Sequence, residues 1–215
     1  MIIFLVLFFS LMLLLALGFR HSFYLTMIKK IYGQYSYAYV SKYKSITKRN
    51  PYSYCFKDDF LYHLKSVNEA LKCTKLFEVD KVDVLKGFPY DTSFKQVFDQ
   101  HNQPDCFVLN KNKKNILKIA GYNSQVFQQK EKSLLYFWND KLFMQELVFG
   151  DLKENSPQNI IQQLQDKYDI AIPYHKNFTI KDTRDNYLYF TDSGFYLSLK
   201  IFNLNNQSIQ AVLKH

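Results

Sequence analysis

The hydrophobic pattern of the chain begins with an almost unbroken apolar segment, IIFLVLFFSLMLLLALGF, at residues 2–19. Apart from Ser10 and Gly18, every position in it is a large apolar residue or alanine, so the segment has no polar face. A helix of this length spans about 27 Å, close to the thickness of the hydrocarbon core of a bilayer. A helix packed on the core of an ordinary globular domain would show a polar stripe, so this reading fits the segment badly. We therefore predict a transmembrane helix at residues 1–19.

A cleaved signal peptide is the alternative for this segment. Signal peptides carry a basic n-region, an apolar core of about 7 to 15 residues and a small-x-small cleavage site. Here only the α-amino group precedes the apolar run, and Ala16 and Gly18 are the only small residues near its end. We therefore expect an uncleaved anchor.

After a turn signal at Asn50-Pro51, the next periodic stretch is KDDFLYHLKSVNEALKCTKLF. Its apolar residues recur at spacings of three and four, which predicts an amphipathic helix of about five turns. Asp58 or Asp59 would cap its start, where negative charge is favourable. The predicted inner face is Phe60, Leu61, Leu64, Val67 and Leu71, and the solvated face is Lys65, Asn68, Glu69 and Lys72.

A second, shorter helix is predicted within DTSFKQVFDQHNQP. Asp91 or Thr92 would cap its start. Asn102 tolerates the left-handed conformation that closes such a helix, and Pro104 prevents its continuation. The inward-facing residues are Phe94, Val97 and Phe98.

The remaining pattern is mostly of the β type. FEVDKVDVLKGFPY alternates well enough for a short strand or an extended link. CFVLN, NILKIAGYN, SLLYFWND and KLFMQELVFG are short runs rich in β-branched and aromatic residues, with Asn139-Asp140 as a tight turn. NFTIKDTRDNYLYFTDSGFYLSLKIFN alternates in three pieces, which predicts a three-stranded meander. Between these regions SPQNIIQQLQDKYDI has a helical period, with Ser156 at the cap and Pro157 in the first turn.

This order of elements predicts an α+β fold. Strands joined as hairpins indicate an antiparallel sheet, and we expect the helices to pack on one of its faces. The predicted organisation is a transmembrane anchor at 1–19, a basic, tyrosine-rich juxtamembrane segment at 20–55, and an α+β globular domain at 56–215 that ends in the three-stranded meander.

The charge distribution separates one segment from the rest of the chain. Seven of the 28 Lys and Arg residues lie within residues 20–50, whereas none of the 19 Asp and Glu residues does. The rest of the chain is nearly balanced, which argues against a nucleic-acid-binding face on the folded part. The seven cations are Arg20, Lys29, Lys30, Lys42, Lys44, Lys48 and Arg49.

The position of these cations directly after the apolar segment predicts both an orientation and a contact. Loops rich in Lys and Arg next to a membrane span stay on the cytoplasmic side, so we expect a single-pass protein of the cell membrane with its folded part in the cytoplasm. Each cation near an anionic leaflet gains about 1 kcal/mol. We therefore predict that all seven contact anionic lipid headgroups. A solvated basic linker is the alternative.

The cysteine pattern fits the same compartment. Cys55, Cys73 and Cys106 are odd in number and show no C-x-x-C spacing, which is typical of free thiols in a reducing compartment. Cys55 and Cys106 each precede Phe, a setting in which we expect buried core cysteines.

One part of the chain resembles a known family. GFPYDTSFKQVFDQHNQPD followed by a β-hairpin is similar to the small outer-membrane assembly lipoproteins of the SmpA/OmlA type, over residues 85–150. Gln96-Val97 and Pro104 stand at the family's spacing, and Asn102 stands where the family usually has Gly. The chain lacks the family's lipid-bearing cysteine. The resemblance implies a helix-helix-sheet layout, and it favours a periplasmic location over a cytoplasmic one.

Candidate chemical groups form no catalytic pattern. The five histidines show no H-x-x-x-H or H-E-x-x-H spacing, and we interpret His63 as a packing residue. Asp182, Asp185 and Asp192 would suit a cation, but Asp is also common in hairpin turns, and we favour the turn role. Ser193 lacks a G-x-S-x-G elbow. We therefore expect neither cofactor nor bound metal.

Three functional hypotheses remain. The first, which we favour, is a single-pass membrane-anchored, non-enzymatic interaction or envelope-assembly module, with a protein partner that the sequence does not identify. The second is a secreted or periplasmic binding domain whose first segment is cleaved. The third is a small hydrolase with an unrecognised site.

Overall fold

The computed structural model describes residues 19–55, 60–83, 87–112, 115–126, 129–150 and 156–213. The chain divides into two compact units, residues 1–52 and 53–215. The predicted transmembrane segment lies outside the described residues, except for Phe19. Among the helices that the structure describes, none has the length and apolar character needed to cross a bilayer.

The described part of the first unit is a pair of helices. Residues 19–32 form α1 and Tyr37–Thr47 form α2. Gly33 links them with a φ of +82°, a backbone conformation that residues with a side chain rarely adopt. Its backbone N–H donates to the Lys29 carbonyl and so ends α1. Ser36 caps α2 because its hydroxyl accepts from the Tyr39 backbone N–H at 3.2 Å. The predicted juxtamembrane segment is therefore largely helical, which we did not expect from its composition.

The second unit is an α+β domain, as predicted. Its described helices and strands follow one another as α3 Phe60–Lys72, β1 Leu76–Val79, α4 Phe94–His101, β2 Cys106–Asn112, β3 Asn115–Val126, β4 Gln129–Trp138, β5 Lys141–Phe149, α5 Pro157–Tyr168, β6 Asn177–Asp182, β7 Asn186–Asp192, β8 Leu197–Asn203 and α6 Gln207–Leu213. The predicted turn at Asn139-Asp140 and the three-stranded meander β6–β7–β8 are confirmed. The short helix α6 was not predicted.

The eight strands form one sheet in the order β1-β6-β7-β8-β5-β4-β3-β2. The prediction of an antiparallel sheet is correct for every pair except β1 and β6, which run parallel. A parallel pair needs a long connection, and here the whole β2–β5 region and α5 lie between β1 and β6. The strands β2 to β5 and β6 to β8 follow one another as antiparallel neighbours, and β5 pairs with β8 antiparallel across a second long connection.

Helices cover both faces of the sheet, so the prediction of a single covered face is wrong. On one face, α3 and α6 pack over a cluster that includes Val67, Tyr136 and Phe202. On the other face, α5 packs over a cluster that includes Ile160 and Phe190. Because both faces are covered, β5 and β8 are buried at nearly every position, including their polar residues Glu146 and Lys200. Helix α4 also packs on the second face, where the centre of the Phe94 ring lies 5.6 Å from the centre of the Phe107 ring and 5.4 Å from that of Phe137.

Several local predictions were partly wrong. The cap of α4 is Ser93, which forms a reciprocal capping box with Gln96, in place of Asp91 or Thr92. Asn102 has the predicted positive φ of 62°, but its ψ of −151° lies outside the left-handed helical region. Leu71, placed on the inner face of α3, is 40% exposed because the helix packs through Val67 and Ala70. The solvated face of α3 is as predicted, but Asp58, Asp59 and the side chains of residues 60–64 lie outside the described part.

The prediction that all cysteines are free thiols is wrong. Cys55 and Cys106 form a disulfide, with Cα atoms 4.9 Å apart and a sequence separation of 51. Cys73 is the free cysteine. Gly121 lies opposite Cys106 on the neighbouring strand, where a Cβ atom would collide with the Cys106 sulfur and lie 3.0 Å from that of Cys55. The glycine therefore provides the space that the disulfide occupies.

Candidate functional site

The structure places all seven predicted membrane-contact residues in the first unit. Arg20, Lys29 and Lys30 lie on α1, Lys42 and Lys44 lie on α2, and Lys48 and Arg49 follow it. All but Lys42 are exposed, and Lys42 is half-buried with its Nζ 5.1 Å from the centre of the Tyr24 ring. The first unit itself contains no acidic residue, since the first Asp or Glu of the chain is Asp58.

Sequence reasoning missed a second feature of α1, an exposed apolar stripe. Phe19, Phe23, Met27 and Ile31 recur at every fourth position and are 67%, 68%, 45% and 65% exposed. At about 100° per residue, four positions spaced by four fall within an arc of about 120° on the helix surface. The opposite side of α1 carries Leu25 and Ile28, which are half-buried. The stripe is thus the face that α1 leaves uncovered.

Two of the predicted cations share this face of α1. Lys30 falls between Phe19 and Phe23 around the helix axis, and Arg20 falls between Met27 and Ile31, as follows from the same angular spacing. The long stems of Lys and Arg pack along apolar surface while their charged ends stay in water or among headgroups. The described face therefore combines apolar and cationic groups without any acid.

The pair of helices is held in shape by tyrosines on its inner side. The Tyr35 and Tyr52 rings stack with centres 4.8 Å apart, and the Tyr52 hydroxyl donates to the Gln34 carbonyl at 2.6 Å. Burial raises the pKa of Tyr35 and the pKa of Tyr52 above the ordinary value for tyrosine, so both hydroxyl groups stay protonated. Val40 is buried beside them. These contacts hold the helix pair together, so the stripe lies on an ordered part of the first unit.

The second unit contains a buried polar cluster that the sequence analysis also missed. The Glu146 carboxylate accepts from the Tyr136 hydroxyl at 2.5 Å and the Ser198 hydroxyl at 2.6 Å, and it pairs with Lys200 at 2.9 Å. Lys200 also donates to Ser198 at 3.2 Å. Burial, followed by the nearby Glu146 charge, raises the pKa of Tyr136 well above its ordinary value.

This cluster does not have the properties of a serine nucleophile with a lysine base. Ser198 is fully buried and Lys200 is 6% exposed, so no substrate atom reaches them in this structure. The Lys200 Nζ lies 2.9 Å from Glu146 and donates to the Ser198 hydroxyl, so it does not have the geometry of a base that accepts the serine proton. The arrangement joins β4, β5 and β8, and its consequence is structural: it fixes the register of the central strands.

The aspartates of the meander act in its turns. The buried Asp182 carboxylate accepts from the backbone N–H groups of Val82, Arg184 and Asn186 and from the Asn186 amide. Burial raises its pKa, but these hydrogen bonds outweigh burial and hold the pKa below its ordinary value. In the next turn, Asp192 accepts from the Gly194 N–H. No grouping of His, Cys, Asp and Glu suited to a metal ion occurs among the described residues, and the His63 side chain lies outside them.

No protein-family model, curated protein or solved structure matches this chain.

Proposed function

We propose that the protein is a single-pass membrane-anchored, non-enzymatic interaction module of the cell envelope. Residues 2–19 provide the anchor, and the basic helix pair at 19–52 lies against an anionic lipid surface. The α+β unit is the part that binds a protein partner. The cytoplasmic leaflet is the surface that the Lys and Arg bias favours.

The observation that supports this proposal most strongly is the mixed face of α1. A water-soluble unit gains nothing by exposing Phe19, Phe23 and Ile31 in one row, and an exposed apolar row marks an interaction surface. An amphipathic helix with Lys and Arg beside such a row is typical of segments that lie in the headgroup region. Anionic lipid satisfies both the apolar and the cationic side chains of the face.

The test compares two adjacent positions on α1. Phe23→Cys and Ser22→Cys, each in a Cys73→Ser background and labelled with an environment-sensitive fluorophore, are reconstituted as full chains in nanodiscs. Ser22 is exposed but lies away from the stripe. We expect the label at position 23 to shift to the blue in bilayers that contain phosphatidylserine, and the label at position 22 to keep its aqueous spectrum.

Two controls make the outcome decisive. Neutral bilayers should reduce the shift at position 23, because the cations then gain no headgroup attraction. Replacing Lys29, Lys30, Lys42, Lys44, Lys48 and Arg49 with Gln should have the same effect. Equal spectra at positions 22 and 23 in anionic bilayers would contradict contact through the stripe.

The disulfide favours a second candidate, a secreted or periplasmic binding domain. Disulfides persist in oxidising compartments and are rare in the cytosol. Gly121 has no side chain and so leaves room for the sulfur atoms of the Cys55–Cys106 bond. The fold of the second unit therefore accommodates the oxidised pair. In this candidate the globular unit lies outside the cytoplasm, and the SmpA/OmlA resemblance favours the same side.

Thiol labelling in intact cells separates the two candidates. Cys73 is partly exposed, so a membrane-impermeant maleimide should label it without permeabilisation only if the globular unit lies outside. Acid quenching followed by alkylation reports whether Cys55 and Cys106 are oxidised. A protected Cys73 together with reduced Cys55 and Cys106 supports the cytoplasmic arrangement, and N-terminal sequencing shows whether Met1 is retained.

A further inference from the structure

The second unit contains an open hollow of 910 Å³ between three of its segments. One wall is the stretch after β1, another is the C-terminal end of α5, and the third is the β6–β7 turn. The lining residues that carry the argument are Lys81, Asp83, Tyr90, Lys167 and Arg184. None of them belongs to the helix pair at 19–52, so the hollow is separate from the proposed lipid-facing surface.

The charges around this hollow are predominantly positive. Lys81, Lys167 and Arg184 each come from a different wall, and all three are exposed. Asp83 is the acidic residue of the lining, paired with Lys81 at 2.8 Å and with Lys167 at 3.7 Å. Within the described part of the chain, the Arg184 guanidinium has no carboxylate partner, although its backbone N–H is held by Asp182. The hollow therefore carries more positive than negative charge among its described lining residues, and the charge of Arg184 is not neutralised by any of them.

Tyr90 contributes its ring to the hollow and not its hydroxyl. The hydroxyl is shielded from solvent, so no atom of a bound segment reaches it in this structure. The ring of Tyr90 lines the hollow together with Phe88 and Pro89, so apolar surface lies beside the cations.

From this arrangement we propose that the hollow binds an acidic peptide segment of a partner protein, whose carboxylates pair with Arg184, Lys167 and Lys81 and whose apolar side chain lies on Pro89 and the Tyr90 ring. The inference rests on the proposed function as an interaction module, because it names the surface through which the globular unit binds its partner. The partner segment is extended, with acidic residues on both sides of an apolar or aromatic one.

The distribution of the cations favours a peptide over a single phosphate group. A phosphate is usually held by converging donors and by the N-terminal end of a helix, where the dipole is positive. Here the helix that borders the hollow, α5, contributes its C-terminal end, where the dipole is negative, and Lys167 lies in that last turn. Cations on three separate walls suit several carboxylates spread along a chain.

The test measures binding of a fluorescein-labelled Glu-Glu-Tyr-Glu-Glu peptide to the full chain in maltoside micelles by fluorescence anisotropy. We expect saturable one-to-one binding that weakens about fivefold in Arg184→Gln and in Lys167→Gln, since each removes one exposed charge pair. Tyr90→Phe keeps the ring and should leave the affinity unchanged, whereas Tyr90→Ala should weaken binding about threefold through loss of apolar contact. Asp83→Asn should strengthen it, because the substitution removes the charge that repels the peptide.

Two further variants separate this hollow from other basic surfaces. Lys95→Gln removes an exposed cation on α4, outside the hollow, and should leave the affinity unchanged. A chain with Gln at Lys29, Lys30, Lys42, Lys44, Lys48 and Arg49 should also bind as the parent does. Loss of binding in that chain would assign the peptide to the helix pair and overturn the proposal, whereas the lipid test at Phe23 stands or fails independently.

Three other results would overturn the proposal. The first is the absence of saturable binding, and the second is equal weakening by Lys95→Gln and Arg184→Gln. The third is displacement of the peptide by an equal concentration of inorganic phosphate in the parent but not in Arg184→Gln, which would identify a phosphate site.

Discussion

The two units of this chain differ in how far their apolar side chains are exposed and in how their charged side chains are paired. In the part that the structure describes, seven of the 12 large hydrophobic side chains that are exposed lie within residues 19–52, although that segment is much the shorter. Residues 1–52 contain seven Lys and Arg but no Asp or Glu. In the second unit even a charge inside the core, Glu146, is paired and hydrogen-bonded. In the described part of the chain, the second unit buries most of its large apolar side chains, whereas the first leaves a row of them exposed beside its cations.

This contrast separates stability from binding. Substitutions in the sheet should change the free energy of unfolding, and substitutions on the α1 stripe should change lipid contact while leaving the fold intact. The single tryptophan, Trp138, lies in the core of the second unit and is 7% exposed, so its fluorescence reports unfolding of that unit in the full chain.

The largest effect is expected at the buried ion pair. Glu146→Leu leaves the Lys200 ammonium buried without its partner and should lower the free energy of unfolding by about 3–5 kcal/mol. Urea unfolding of the full chain in micelles, followed by Trp138 fluorescence, measures the change.

The control for this prediction is the double variant Glu146→Leu/Lys200→Met. It removes both charges, so much of the lost stability should return. A double variant as unstable as the sum of the two single variants would show that the pair is not coupled.

The disulfide should contribute the next largest effect. Cys55→Ala/Cys106→Ala opens a loop with a sequence separation of 51 residues and should cost about 2–4 kcal/mol. Gly121→Ala should cost about 1–3 kcal/mol in the oxidised chain, because its methyl group would occupy the space of the Cys106 sulfur.

The cost of Gly121→Ala should fall in the disulfide-free background, where that sulfur is gone. A small contact with Leu134, 3.0 Å from the same point, remains there. Equal costs in both backgrounds would show that Gly121 is not needed for the disulfide.

Asp182 should give the domain an acid-sensitive component of stability. Its folded-state pKa lies below the ordinary 3.8, so the folded chain holds fewer protons there than the unfolded chain. The stabilisation is therefore complete above the unfolded-state pKa and is lost as pH falls through the folded-state pKa. At neutral pH, Asp182→Asn should cost about 1.5–3 kcal/mol, since it weakens hydrogen bonds to a charged acceptor.

Urea unfolding of parent and Asp182→Asn at several pH values from neutral to acid measures this component. The difference between the two proteins should shrink as the parent carboxyl becomes protonated. A difference that stays constant down to the acid end would contradict a role for the carboxylate charge. Asp185→Asn, on an exposed ion pair with Lys181, is the matched control and should have little effect.

A smaller effect is expected at the end of α4. Asn102 combines φ 62° with ψ −151°, a region that glycine occupies readily and other residues occupy under strain. Asn102→Gly should be neutral or stabilising, whereas Asn102→Val should cost about 1–2 kcal/mol because a β-branched side chain resists positive φ. Equal stability of the two variants in urea would show that this backbone conformation is not maintained in solution.

The local signals of the sequence predicted the elements of the second unit well. Caps, turn residues and apolar spacing are signals that involve only a few neighbouring positions. They predicted α5, which has its cap at Ser156 and Pro157 in its first turn, and they also predicted the meander. Strand order and the β1–β6 pair depend on contacts about a hundred residues apart, which periodicity does not encode. The disulfide was missed for the same reason.

Two missed features did leave signals in the sequence. Glu146 and Lys200 are single charges inside apolar strands, and a charge buried in a core requires a partner. Phe19, Phe23, Met27 and Ile31 stand at every fourth position within the basic segment, which the analysis interpreted through its charge and tyrosines alone. All seven cations lie in one unit, but the apolar stripe on α1 was recognised only from the helix.

The smallest effect on stability is expected on the α1 stripe, and it tests the contrast between the units most directly. Phe23→Ala and Ile31→Ala remove side chains that are 68% and 65% exposed, so the protein should lose no more than about 0.5 kcal/mol. Amide hydrogen exchange of α1 and α2 in micelles measures the stability of the helix pair. The same truncation at a fully buried position, Phe190→Ala, should cost about 3–5 kcal/mol in the second unit. If Phe23→Ala accelerated exchange throughout α2, the stripe would be part of a core, and the first unit would be as self-sufficient as the second. Slow exchange in both proteins, together with a weaker lipid-induced shift in a labelled Ile31→Ala variant of the Phe23→Cys chain, would leave binding as the role of the stripe.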